Sequence, residues 1–208
     1  MDKKERQSVW KAKGTFGYIS SEKKRRALIT AGLFVLPLLV LFGGIWYYGT
    51  RNNICTVLAI VGCLPGCRSI VNLIMICKCH SMDESVYRDI YAHQGDLEMG
   101  YEMYMTFYEK NAYIDAVAVC GNLVVAYSGD PKIDVRFMEE NIQKVIRKNG
   151  YKADVHIFTD LRRYIERLDS MNEHAESLRE GIKFKPDEKY PDLSREQLIL
   201  HTFYALCL

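Results

Sequence analysis

The hydrophobic positions of this chain change rhythm twice. Residues 27–48, ALITAGLFVLPLLVLFGGIWYY, form an apolar run without a charged residue. At about 1.5 Å per helical residue, such a run covers the roughly 30 Å hydrocarbon core of a bilayer. Trp46, Tyr47 and Tyr48 close it as an interfacial aromatic belt would. The run is too long for a cleaved signal peptide and no small-x-small site follows, so it is expected to be retained. Five residues, Gly49 to Asn53, lead to a second apolar run, 54–77, and so short a link predicts two antiparallel neighbouring helices. Pro65-Gly66 interrupts the second run and leaves two readings. It is either a kinked span, which is the preferred expectation, or a re-entrant turn that would leave the C-terminal part on the far side.

From residue 81 the pattern becomes that of an α/β domain. Ser81 and Glu84 have capping-box spacing and predict a helix to about His93. Residues 101–108, 114–120 and 123–128 read as strands, the last two joined by the tight turn Gly121-Asn122. Residues 135–148 form an amphipathic helix with Phe137, Met138, Ile142, Val145 and Ile146 inward, ending at Gly150. Residues 153–159 return as a strand, expected parallel to the one it joins, and a helix follows from Leu161 to about Leu178. Ser194 to Gln197 caps a last helix. The predicted fold class is a membrane α-helical hairpin plus an α/β (α+β) soluble domain in the order α-β-β-β-α-β-α-α.

Charge divides the chain in the same places. Residues 1–26 carry nine Lys/Arg against three acids, and residues 79–208 sixteen against twenty-three. The expected organisation is a basic arm (1–26), a hairpin (27–78) and an acidic domain (79–208). The acidic domain repels a phosphate backbone, so nucleic acid is not an expected partner. Arg and Lys at 23–26 and Lys78 flank the hairpin's joined ends, whereas its loop holds only Arg51. The positive-inside rule therefore predicts a multi-pass protein of the cytoplasmic membrane with both termini cytoplasmic. Lys23, Lys24, Arg25 and Arg26, with Trp10, are candidate contacts for anionic lipid headgroups.

Arg68 carries the most information, because a guanidinium near the bilayer centre costs from roughly 3 to more than about 10 kcal/mol. No acid occurs in residues 27–78 to offset it. Relief would come from snorkelling toward the cytoplasmic face, from carbonyls freed by Pro37 at a similar depth, or from an acid of another subunit or protein. Asn72, one turn on, strengthens the last option. Arg68, Asn72, Pro37 and Pro65 are thus the candidate intramembrane assembly residues. The seven cysteines, five of them in or beside the second run, do not form a disulfide framework. Cys63 and Cys67 read as helix packing, Cys120 and Cys207 as small buried hydrophobes, and the spacing of Cys77, Cys79 and His80 supplies no zinc set. No metal or cofactor is expected.

Over about residues 82–170 the element order resembles the core of the PD-(D/E)XK nuclease-like fold, including the nuclease-related domains of some membrane-tethered bacterial proteins. That resemblance implies an acid on the second strand and an acid-x-Lys on the third, holding a divalent metal that activates water. Asp115 matches the first acid. The third strand reads Val124-Val125-Ala126-Tyr127-Ser128, with neither the second acid nor the lysine, so the resemblance implies a degenerate site. His156, Asp160 and Cys120 give no geometric reason to converge as a nucleophile–base set. The expected role is a non-enzymatic scaffold or regulatory membrane protein whose cytoplasmic domain binds another protein or a second copy. The alternatives are a membrane-tethered enzyme of degenerate nuclease-like or transferase-like fold and an accessory subunit of a transporter or channel.

Overall fold

The structure is a computed structural model that describes residues 11–50, 54–107, 110–182, 184 and 190–207. The chain divides into two compact units. One is chiefly Ile19–His80, and the other joins Ala12–Tyr18 to Ser81–Leu208.

The first unit is a helical hairpin of α1 (Tyr18–Tyr48) and α2 (Ile54–Cys77). α1 starts well before the apolar run because Glu22 pairs with Arg25 at 3.4 Å and Arg26 at 3.0 Å, i,i+3 and i,i+4 contacts that carry the helix through the basic stretch. The helices meet along an antiparallel ladder. Lys23 Nζ donates to the Cys79 carbonyl at 2.7 Å, Arg26 Nη1 to the Asn72 carbonyl at 3.3 Å, and the Thr30 and Ser69 hydroxyls bond at 2.7 Å. Farther along, a Cβ on Gly66 would meet the Phe34 ring at 2.8 Å and one on Gly62 the Pro37 ring at 3.3 Å. The three-and-four spacing of 23, 26, 30, 34 and 37 is that of a helix-pair seam, and the glycines four apart let α1 approach closely. α2 runs unbroken through Pro65 and Gly66, so this dipeptide is not a turn, and Pro65 is exposed off the seam. Both helices are long and apolar enough to cross a membrane. Leu36, Phe42, Val57, Ile60 and Leu64 are exposed on the hairpin's outside.

The second unit contains α3 (Glu84–Ala92), β1 (Glu98–Thr106), β2 (Asn111–Cys120), β3 (Leu123–Tyr127), α4 (Val135–Lys148), β4 (Asp154–Phe158), α5 (Leu161–Glu173), α6 (Ala175–Arg179) and α7 (Arg195–Leu206). The sheet order is β1-β2-β3-β4, antiparallel except for β3 with β4, which pair parallel through the α4 crossover. α4 and α7 cover one face, with Met138, Ile142, Ile146, Ile199 and Phe203 packed on Val117, Val124 and Ala126. α3 and α5 cover the other, with Ile90, Tyr164 and Leu168 on Ala116, Ala118 and Val125. Cover on both sides explains why β2 and β3 read as nearly continuous apolar runs.

Local chemistry differs from the sequence expectation in three places. α3 opens at Asp83, which makes no side-chain cap bond, in place of a Ser81 capping box. The long helix after Leu161 ends at Glu173, and α6 is a separate short piece. Part of the basic arm belongs to the domain. Tyr101 N donates to the Gly14 carbonyl at 2.9 Å, forming an antiparallel bridge beside β1, and the Phe16 ring stacks on Tyr87 at 4.1 Å. Gly14 takes φ +82° against the Tyr204 hydroxyl, a site with no room for a side chain. The capping box of α7 forms as predicted, with Ser194 and Gln197 exchanging bonds.

Candidate functional site

The polar residues predicted inside the hairpin do not gather into one cluster. Pro37 packs against Gly62, six positions or about 9 Å along α2 from Arg68, while the carbonyl it leaves without an N–H partner is that of Leu33, one turn back toward the level where Phe34 meets Gly66. Arg68 and Asn72 are both exposed on the outside of the hairpin. Arg68 makes no hydrogen bond or ion pair among the described residues, and Asn72 contributes only its backbone carbonyl, to Arg26. The sequence supplied both residues but not their outward direction.

Of the predicted headgroup contacts, Lys23 and Arg26 are turned to carbonyls of the hairpin's second strand of chain, and Arg25 and Arg26 share Glu22. Lys24 alone of the four is exposed without a side-chain partner among the described residues, and Trp10 lies outside them. Glu22 is the residue that the sequence reading overlooked here. It is buried, and it holds two of the cations that were assigned to lipid.

The α/β domain has its own irregular spot. Alternate residues of a strand share a face. Yet Met99 and Tyr101 pack on the α3/α5 side while Met103 and Met105 pack on the α4/α7 side, and β2 switches in the opposite order between Ile114 and Ala116. The two strands change phase together, between the pairings Tyr101↔Ala116 and Met103↔Ile114. The residues left between those pairings are Glu102 and Asp115. Glu102 has φ +50°, a left-handed conformation costly for a side chain of this size. Its exposure is 2% and that of Asp115 7%, values at which carboxylates are rare without partners. Glu102 Oε1 accepts the Met82 N–H at 3.2 Å, and Asp115 Oδ2 accepts the Gly129 N–H at 2.6 Å. Burial pushes the Asp115 carboxyl up to about 6, opposed by the Gly129 bond and reinforced by Glu102, Asp83 and Asp130. A carboxyl raised this far holds its proton into mildly acidic solution and gives it up near neutrality. β3 brings no lysine or second acid to this level, since Leu123, Val124, Val125, Ala126 and Tyr127 are all buried in the core.

The remaining sequence candidates have local structural roles. Asp160 caps α5 through the Arg162 N–H at 2.9 Å, Cys120 Sγ points to the Ala175 carbonyl at 3.9 Å, and His156 faces outward on β4. Among the described residues no group of three or more His, Cys, Asp or Glu has the arrangement of a metal site. The Tyr164 hydroxyl is fully buried with no partner among the described residues, its ring 5.6 Å from that of Tyr127. An unmade bond of this kind costs roughly 1 to 3 kcal/mol. Tyr164→Phe is therefore expected to raise stability by about 1 kcal/mol in thermal unfolding of the full chain, and a loss of stability would show that the hydroxyl is satisfied.

No family model matches the chain, and neither the curated proteins nor the solved structures compared with it gave a match.

Proposed function

We propose that this chain is a two-span membrane protein with both termini cytoplasmic, whose acidic α/β domain acts as a non-enzymatic scaffold by binding another protein. The observation that carries this reading is the connectivity of the hairpin. The chain leaves the α/β unit at Tyr18, runs out and back through two membrane-length helices, and re-enters the same unit at Ser81. The ends joined to the domain carry Lys23, Lys24, Arg25, Arg26 and Lys78, and the loop between the helices carries Arg51 only. That asymmetry is the one that sets orientation.

The non-enzymatic part of this reading draws support from the domain's carboxylates. Glu102 and Asp115 are shut away from solvent and held by backbone N–H groups. A second reading, a membrane-tethered enzyme of degenerate nuclease-like fold, is favoured by the αβββαβ order and by Asp115 on β2. The wholly apolar β3 weighs against it. The test is a pair of reporters fused after Leu208 in cells, a fluorescent protein that matures in the cytoplasm and a phosphatase active only outside it. Bright fluorescence with a silent phosphatase, on a chain that resists alkaline carbonate extraction, is expected. An active phosphatase would overturn the orientation, and carbonate release would overturn membrane insertion.

A further inference from the structure

Arg68 lies nine residues, about 13 Å, from the Cys77 end of α2 and fourteen residues, about 21 Å, from its Ile54 end. Every Cα–Cβ bond of a helix leans toward its N-terminus, so the Arg68 side chain leaves the backbone in the direction of Leu64, away from the nearer end. Snorkelling to the nearer headgroups runs against that lean. The hairpin itself offers no relief. The inner seam is filled by Thr30 with Ser69 and by Phe34 with Gly66, and Arg68 stands outside it without a partner among the described residues. A second copy could not supply a carboxylate from its own hairpin either, because residues 27–78 contain no Asp or Glu and Glu22 is engaged by Arg25 and Arg26.

Charge complementarity then selects the occupant of this face. We infer that the outward face of α2 around Arg68 and Asn72 seats a transmembrane helix of a different protein, one that carries an Asp or Glu at mid-depth. A guanidinium presents two parallel N–H donors to a carboxylate, and the Asn72 amide, one turn away on the same face, adds a further donor or acceptor to the same helix. The surrounding exposed Leu64 and Val71 supply the apolar contact such a helix needs. This inference rests on the reading of the hairpin as membrane-spanning.

The test uses full-length protein in phosphatidylcholine vesicles and three synthetic Leu/Ala transmembrane helices, identical except for Glu, Gln or Leu at the centre. Association is read by energy transfer between labelled protein and labelled peptide. The Glu helix is expected to associate at least tenfold more tightly than the Leu helix, with Gln between them. That preference is expected to vanish in Arg68→Leu and to survive in Arg68→Lys. Equal association of the Glu and Leu helices, or a preference that persists in Arg68→Leu, would overturn the inference. So would self-association of the protein that displaces the Glu helix, which would assign the face to a second copy. Carbonate extraction of the same vesicles separates this failure from failure of the membrane reading, since a chain that is not inserted is released whatever the peptide.

Discussion

Glu196→Ala is expected to destabilise the α/β domain by roughly 3 kcal/mol, a loss of the size seen when one member of a buried, hydrogen-bonded charge pair is removed. Glu196 is 9% exposed in the first turn of α7. Its Oε1 accepts the Gly121 N–H at 2.6 Å and Arg179 Nε at 2.9 Å, and its Oε2 accepts Arg179 Nη2 at 3.0 Å. Gly121 opens the β2–β3 turn at φ +57°, tight against the Leu178 carbonyl. The neighbouring Arg195 clasps the same turn through the Gly121 carbonyl, Asn122 Oδ1 at 2.5 Å and the Lys152 carbonyl at 2.9 Å. Alanine would leave the Gly121 N–H without its acceptor and Arg179 without its carboxylate. Arg179 is itself 40% exposed at its side chain, so water recovers part of its loss and the cost falls at the lower end of the range for such pairs. Glu196→Gln keeps an acceptor for Gly121 while removing the charge, and about half the loss is expected from it. Urea unfolding of the full chain measures both. Equal losses for Ala and Gln would place the whole effect in the ion pair with Arg179, and a loss below about 1 kcal/mol for Ala would show that the turn holds without α7.

Which of these features can be read from sequence depends on how far apart the interacting residues lie. α4 is predicted residue for residue, because its apolar stripe, its basic last turn and Gly150 beyond its end are all local signals. Gly121-Asn122 is equally local, a turn whose φ requirement is written in its own residues. The latch on that turn is not, since Glu196 and Gly121 are 75 positions apart and neither looks unusual where it stands. The hairpin shows the opposite limit. Both helices are legible as membrane-length, but a helix that is apolar all round has no stripe to say which side faces its neighbour. Arg68 could therefore be recognised as costly without revealing that it points outward. The basic arm is legible as a run of cations, but the burial of Glu22, one of its three acids, and its pairing with Arg25 and Arg26 are not. Glu102 was illegible on different grounds. An acid between Tyr101 and Met103 looks like an ordinary solvent-facing strand position, and only the register with β2 shows that it lies beside Asp115 where both strands change phase.

That pair gives the pH-dependent prediction. Asp115→Asn is expected to make the domain more stable than the wild type at pH 7.5, by up to about 3 kcal/mol, and to leave stability nearly unchanged at pH 3.5. The folded carboxyl is pushed up to about 6 from 3.8, so the native state holds its proton more tightly than the unfolded chain does. Below pH 3.8 both states are protonated and burial of the acid carries no ionisation cost. Between 3.8 and about 6 only the unfolded state ionises, and stability falls as pH rises. Above about 6 the full difference of roughly two pKa units, at about 1.4 kcal/mol each, has been lost. Asparagine does not ionise but retains an oxygen for the Gly129 N–H, which separates the charge from the hydrogen bond. Denaturant melts of the full chain at several pH values provide the measurement. A gain that grows across the interval from pH 4 to 6.5 is the expected result, whereas a gain or loss independent of pH would show that Asp115 titrates as an ordinary carboxylate. The same experiment with Glu102→Gln is expected to shrink the pH dependence, because removing that neighbouring charge removes one of the forces that raise the Asp115 carboxyl. A domain that keeps an ionised acid in its sheet gives up stability at neutral pH for it.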